Sequence, residues 1–312
     1  MYTVPLGRSG LDVSAVCLGT DYFGSRTSPS TAFELLDMFT DQGGTFVDTA
    51  NVYACWIPGF VGGESETVIG DWMASRQKRD QMVVATKVGG SYEDCGGGLR
   101  AADIERECER SLRRLRTDTI DAYYAHIEDE TTPLEETLEA FDRLVTAGKV
   151  RCVGASNWRT GQLVAARALS DVHGWAGHSV YEFRHSYLQP DAKADFGKQI
   201  VASAELMDVC STHDIPLVAY SVLLNGAYTR PDRSFDGYTG PDNETRLAML
   251  REVAHEVKAT PNEVVIAWML HHDLQIIPIV GASTLRQLEE NLLATTLKLT
   301  QEQVRRLNSI TA

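Results

Sequence analysis

Eight short apolar runs recur along the chain, each followed by a longer stretch with amphipathic-helix spacing, and this alternation restricts the fold more than any other feature. The runs are AVCLG (15–19), TFVDTA (45–50), MVVATKV (82–88), IDAYYAH (120–126), VRCVGAS (150–156), HSVYEF (178–183), IPLVAYS (215–221) and QIIPIVG (275–281). Helical periodicity covers 31–42, 64–76, 102–114, 134–147, 160–170, 199–213, 244–258 and 285–294, and KATPNEVVIAWML (258–270) reads as a further apolar helix. Strands separated by such segments pair in parallel, because the intervening helix carries the chain back to the starting end of the sheet. Eight units of this kind predict one α/β domain over residues 1–312, a (β/α)8 TIM barrel. The opening TVPLGRSGLDVS places Gly7, Arg8, Ser9 and Gly10 between two short runs, which predicts an N-terminal β-hairpin able to plug the bottom of the barrel. In TTPLEETLEAFDRLVTAGK, Thr132 reads as a helix N-cap, Pro133 as the first helical residue and Gly148 as the stop.

The 312 residues, 43% hydrophobic and 23% charged, suffice for a large packed core. A formal charge of -14 with no basic run argues against a nucleic-acid partner, whose phosphates call for clustered Lys and Arg. No segment reaches the roughly 18 apolar residues that cross a bilayer, and MYTVPLGRSG lacks the pattern of a secretion signal, so no membrane association and a cytoplasmic location are expected. Six cysteines without a CxxC pair suggest neither a zinc site nor a disulfide framework. Cys17, Cys108, Cys152 and Cys210 read as core or helix-face thiols, Cys55 and Cys95 as loop residues.

In a barrel of this kind the reactive groups stand at the carboxyl ends of the strands. The second run ends on Asp48 with Tyr53 in the following loop, the third on Lys87 and the fourth on His126. Any one of them alone is a cap or a solvated loop residue. Together they make a proton-transfer set: Lys87 beside a phenol favours the phenolate and is expected to lower the pKa of Tyr53, Asp48 keeps the ammonium charged, and a neutral His126 orients a substrate oxygen. No metal is needed for that chemistry. The competing reading, a metal barrel built from His126, Glu128, Asp129, Glu130, His173, His178 and His185, leaves Lys87 and Tyr53 without a task, and EDETT reads better as a solvated acidic loop.

The segments FVDTANVY, VVATKVG, AGKVRCVGASNW, VAYSVLLNGA and IPIVGASTLRQLEEN, in this order and across nearly the whole chain, resemble the aldo-keto reductase superfamily. The likeness is greatest to its branch of potassium-channel β-subunits and bacterial and aryl-alcohol reductases. The resemblance implies Asp48, Tyr53, Lys87 and His126 as the catalytic tetrad. It implies a reversible NAD(P)H-dependent reduction of an aldehyde or ketone, with NADPH (NADP+) favoured and NADH open, since Thr284 replaces a lysine of some relatives. A small carbonyl or alcohol is then the partner, with the oligomeric state undefined. The alternative is a cofactor-binding regulatory subunit with slow turnover.

No GxGxxG follows a strand, so a Rossmann site is not indicated. CGGGLR (95–100) lacks the lysine and hydroxyl of a phosphate loop. Thr284 and Gln287 have capping-box spacing, which would leave helix-start N–H groups facing an anion. The resemblance implies Gly281, Ser283, Arg286, Gln287, Glu290 and Asn291 around the adenosine phosphate. It implies Ser156 and Asn157 on the nicotinamide carboxamide, Tyr220 stacked on its ring, and Ser221, Leu223, Asn225 and Gly226 along the pyrophosphate. Where relatives read Gln-x-x-Tyr-Asn this chain reads HSVYE, so His178 is expected to replace the glutamine in part and Glu182 the asparagine. In the long loop YACWIPGFVGGESE, Trp56, Ile57 and Phe60 are expected to wall an apolar or aromatic substrate pocket, with Trp158 as a further contributor.

Overall fold

A computed structural model describes residues 1–92 and 95–309. Eight parallel strands close into a barrel: β3 (Cys17–Gly19), β4 (Phe46–Asp48), β5 (Val83–Val88), β6 (Ile120–Ala125), β7 (Val150–Ser156), β8 (His178–Arg184), β9 (Leu217–Tyr220) and β10 (Ile276–Gly281), with β10 paired back to β3. All eight predicted runs are strands.

Before them β1 (Thr3–Pro5) and β2 (Asp12–Ser14) pair antiparallel, turning through Gly7 and Gly10, both at positive φ. Leu6, Leu11 and Val13 of this hairpin join the apolar cluster inside the barrel, together with Phe46, Val83, Ala122, Val180 and Ile277, and so close its amino end. Gly7 is required there: a Cβ would lie 2.2 Å from the carbonyl oxygen of Ser179.

Helices α1 (Pro29–Asp41), α2 (Glu64–Arg76), α3 (Ala101–Leu115), α4 (Leu134–Thr146), α5 (Thr160–His173), α6 (Ala204–His213), α7 (Pro241–Val257), α8 (Pro261–Leu270), α9 (Leu285–Leu293) and α10 (Gln301–Asn308) follow in chain order. On α3 the buried Ile104, Cys108, Leu112 and Leu115 recur at helical spacing and form the stripe that packs inward. Each such side chain, once buried, contributes about 1.5–3 kcal/mol.

Two local expectations are corrected. Pro133, not Thr132, is the N-cap of α4, and the Thr132 hydroxyl instead donates to Asp129 at 2.7 Å. Residues 199–203 stay outside α6, whose start is set by Ser203 accepting from Leu206 N, while Val201 forms a bridge to Arg184. The acidic loop after β6 is also less solvated than expected. Asp129 accepts from Leu99 N, Thr131 and Thr132, and these bonds hold its carboxyl below the usual range although its burial works in the opposite direction.

Candidate active site

Asp48 ends β4 and Lys87 is the penultimate residue of β5, so parallel register brings both to the carboxyl mouth of the barrel. Lys87 Nζ donates to Asp48 Oδ1 at 2.5 Å, to the carbonyl of Thr49 at 2.9 Å and to the hydroxyl of Tyr53 at 2.9 Å. That commits all three donors of the ammonium. The Tyr53 hydroxyl in turn donates to Asp48 Oδ2 at 2.8 Å, closing a triangle of lysine, carboxylate and phenol.

The loop carrying Tyr53 is pinned from beneath. Thr49 donates to Ser65 at 2.8 Å, Thr20 bridges Ser65 and the Asp48 carbonyl, and Asn51 donates to Glu107 on α3 at 3.1 Å. Ala54, the residue after Tyr53, takes φ +76, a conformation uncommon for alanine and held only because its surroundings over-determine it.

Burial disfavours charge on Lys87, but Asp48 and Glu182 outweigh it and hold the ammonium above its ordinary range. Tyr53 behaves differently from the expectation. Burial, then the neighbouring Asp48 and Glu182, push its phenol well above the ordinary value. The net result in this state is a phenol held above its ordinary range although Lys87 donates to it at 2.9 Å.

His126 follows β6 directly, its ring edge-on to Tyr53 with centroids 6.2 Å apart. Burial first, and then the charge of Lys87, drive its pKa down to about 3, which keeps the imidazole neutral. Its Nδ1 is buried without a partner, while its carbonyl accepts from Asn157.

On β8 the two residues singled out in HSVYE have different surroundings. His178 pairs in register with Val153, three residues before Ser156, and its ring packs on Trp158 at 5.5 Å and Tyr181 at 6.0 Å. Both neighbours belong to the main hydrophobic core, and Trp158 is buried there. The β8 side chain level with Ser156 is Glu182, whose Oε1 lies 3.5 Å from Lys87 Nζ. The register shift explains the exchange: His178 pairs with Val153 but Val180 with Gly154, so Ser179 is passed over and the alternation that puts Val180 and Glu182 on the interior face does not extend back to His178.

Ser156 ends β7 and Asn157 follows it. Asn157, at φ +56, accepts from Tyr220 at 2.7 Å and Ile200 N at 3.0 Å and donates to Ser156 Oγ at 2.9 Å. Beyond Tyr220 the backbone turns through Ser221, Leu224 and Asn225, all at positive φ, and then Gly226. Such a concentration of strained residues marks a segment shaped for a task other than stability. Leu224 and Asn225 line a cavity of about 510 Å³ together with Arg184, Lys193, Phe196 and Tyr238. Arg184 pairs in register with Tyr220, which sets this cavity beside the barrel mouth.

At the end of β10, Gly281 leads to α9. Thr284 caps the helix by accepting from Gln287 N, whereas the Gln287 side chain accepts from the amide and hydroxyl of Ser283, both at 2.9 Å. The expected reciprocal capping box is thus shifted by one residue. Arg286 stands exposed on the first turn, Glu290 is half-buried, and Asn291 donates to the Gly281 carbonyl at 3.3 Å. In the mouth loop Trp56 is half exposed and meets Tyr53 edge-on at 6.0 Å, and Phe60 is partly exposed. Ile57 is buried and does not line the opening. Among the described residues no group of three or more His, Cys, Asp or Glu side chains is arranged to hold a metal ion.

The profile of the Aldo/keto reductase family matches residues 15–312. The chain belongs to the aldo/keto reductase family. This aldo/keto reductase is 34% identical to the uncharacterised oxidoreductase YrpG of Bacillus subtilis, over 98% of this chain and 94% of that protein. It is 31% identical to norsolorinic acid reductase stcV of Emericella nidulans (95% and 78%) and 30% identical to aryl-alcohol dehydrogenase [NADP(+)] of Phanerodontia chrysosporium (96% and 83%). Its activity class is the NAD(P)H-dependent oxidoreduction typical of the family.

The residues present suit a nicotinamide dinucleotide. The aldo/keto reductase offers a phenol ring at Tyr220, a buried polar floor at Ser156 and Asn157, and the amino end of α9. Among the described residues, no helix is long and apolar enough to cross a membrane. Sequence reasoning did not single out Asp21, Arg184 or the Thr20–Ser65 pair. Their neighbours are distant in sequence, and no local pattern announces them.

Proposed function

We propose that the chain reduces the carbonyl group of an aromatic aldehyde or ketone to an alcohol, reversibly, with NADPH as the preferred cofactor. The observation that carries this reading is the contact of Lys87 Nζ with the Tyr53 hydroxyl at 2.9 Å, at a mouth edged by Trp56. NADPH, when bound, supplies the hydride. Tyr53 gives its proton to the carbonyl oxygen, and Lys87 stabilises the phenolate left behind. Asp48 keeps Lys87 charged and aimed. His126, kept neutral by burial and with its ring beside Tyr53, orients the substrate oxygen by a hydrogen bond.

Ser156 and Asn157 would hold the carboxamide of the cofactor, and Tyr220 would pack against its ring. Ser221, Leu223, Asn225 and Gly226 follow the pyrophosphate, and Ser283, Arg286, Gln287, Glu290 and Asn291 surround the adenosine phosphate. An aryl substrate is supported by the exposed Trp56 and Phe60, and by the printed activities of relatives that share nearly the full chain. The test is loss of NADPH absorbance against a panel of aromatic and aliphatic aldehydes and ketones, repeated with NADH. Aromatic carbonyls should turn over fastest, and with NADPH. Tight NADPH binding without turnover of any carbonyl would overturn the reading in favour of a regulatory subunit.

A further inference from the structure

The barrel mouth holds one carboxyl group more than its cation can serve. Lys87 spends its three N–H bonds on Asp48, Thr49 and Tyr53, and Glu182, 3.5 Å from the ammonium, receives none of them. Glu182 is 3% exposed and its Oε2 has no hydrogen-bond partner. Asp48, from β4, is bound to the same ammonium, 2.5 Å from Lys87 Nζ. The other groups facing this cluster are Cys17 on β3, Asp21 in the loop after it, Tyr53, Tyr124 on β6, His126, Ser156 on β7 and Tyr220 on β9. Of all these groups Lys87 is the one cation.

Ionising both carboxyls would leave a net negative charge in a closed, desolvated space, so one proton remains on the pair. Of the two, Glu182 lacks the charge-assisted bonds that Asp48 receives. We propose that Glu182 is a positioning residue that holds this proton in the resting site and, by surrendering it before Tyr53 ionises, keeps Tyr53 a phenol and favours proton donation over proton abstraction. Burial, and then the neighbouring Asp48, push the Glu182 carboxyl well above the usual range against the pull of Lys87. The sequence of events follows from electrostatics. Once Glu182 ionises, its new charge makes loss of the Tyr53 proton harder, so carbonyl reduction persists to higher pH while alcohol oxidation, which starts from the phenolate, is confined to more alkaline solution.

The consequence for direction rests on the proposed function, but the protonation order does not, and the experiment separates them. Protein labelled with 13C at the tyrosine ζ carbon is titrated by NMR, with the Tyr53 signal assigned through Tyr53→Phe, and infrared difference spectra follow the carboxylic-acid band. In the wild type a protonated carboxyl assigned to Glu182 by its loss in Glu182→Gln should be present at pH 7 and vanish below the pH at which Tyr53 titrates. In Glu182→Gln, Tyr53 should titrate about one pH unit lower or more, and alcohol oxidation should set in at correspondingly lower pH. An unchanged Tyr53 titration, or no Glu182 acid band at pH 7, overturns the proposal. Should Glu182→Gln fail to fold, Glu182→Met serves for both measurements. A protein that shows the expected titrations yet reduces no carbonyl leaves this inference standing and sinks the proposed function.

Discussion

The hydroxyl of Tyr53 accepts a hydrogen bond from Lys87 at 2.9 Å and donates one to Asp48 at 2.8 Å, so one oxygen is held by a cation on one side and an anion on the other. That arrangement fixes the phenol's direction while its proton stays on. It also makes the loop carrying Tyr53 dependent on groups from two strands, since the donor and the acceptor come from β5 and β4.

Removing the phenolic oxygen separates chemistry from binding. Tyr53→Phe keeps the ring beside Trp56 and leaves the cofactor residues untouched. The value of kcat should fall by about 10²–10⁴, the usual range for a lost proton donor, with Kd for NADPH within about twofold of wild type. Stopped-flow fluorescence and steady-state rates measure the two; equal losses in both would refute the role of Tyr53.

Lys87→Met removes the cation and leaves Asp48 and Glu182, 2% and 3% exposed, facing one another. Breaking a buried pair in this way costs about 3–5 kcal/mol. Urea titrations should show the deficit to be larger at pH 8 than at pH 5.5, because protonating the carboxyls relieves their repulsion. A deficit independent of pH would mean that the loss is one of packing.

Three histidines should make the fold acid-sensitive. Burial lowers His126 to about 3 and His178 and His185 to about 4, with Lys87 and His272 adding to the shift at His126 and His185. Their folded values lie below the unfolded value, so each takes up a proton only on unfolding, and stability drains away as pH falls from about 6.5 towards the folded pKa. Each contributes a slope of up to about 1.4 kcal/mol per pH unit. His185 is the cleanest probe, being buried against Trp268 with an unpartnered Nε2. Denaturant titrations between pH 7 and 4.5 should show a shallower slope for His185→Gln than for wild type, and identical slopes would exclude its titration.

Trp56 offers a test of substrate class. Half exposed and edge-on to Tyr53, it supports no core packing, so Trp56→Ala should leave the melting temperature unchanged. KM for an aromatic aldehyde should rise about tenfold, a loss in line with one aromatic contact, while KM for a short aliphatic aldehyde stays level. Parallel changes for both substrates would remove Trp56 from the pocket.

Much of this molecule was legible before its structure. Eight apolar runs with helices between them require parallel strands, parallel closure puts every carboxyl end on one side, and Asp48, Tyr53, Lys87 and His126 each stand at or just beyond such an end. Those four are local facts of chain order and strand period, and a linear sequence carries them. His178 and Glu182 were not separable in that way. Alternation alone would put both on one face, and what separates them is the register shift between β7 and β8 at Val153/Gly154, which depends on the neighbouring strand. Trp158 likewise follows Asn157 directly, yet it turns into the packed layer between barrel and helices. The acidity of Tyr53 was the furthest from view, since it depends on the summed charge of Asp48, Glu182, Asp21 and Lys87, residues far apart in the chain and assembled only when the barrel closes. Sequence thus determined which groups stand at the mouth. Tertiary structure decided which of them face one another and, through burial and distance, what charge each carries.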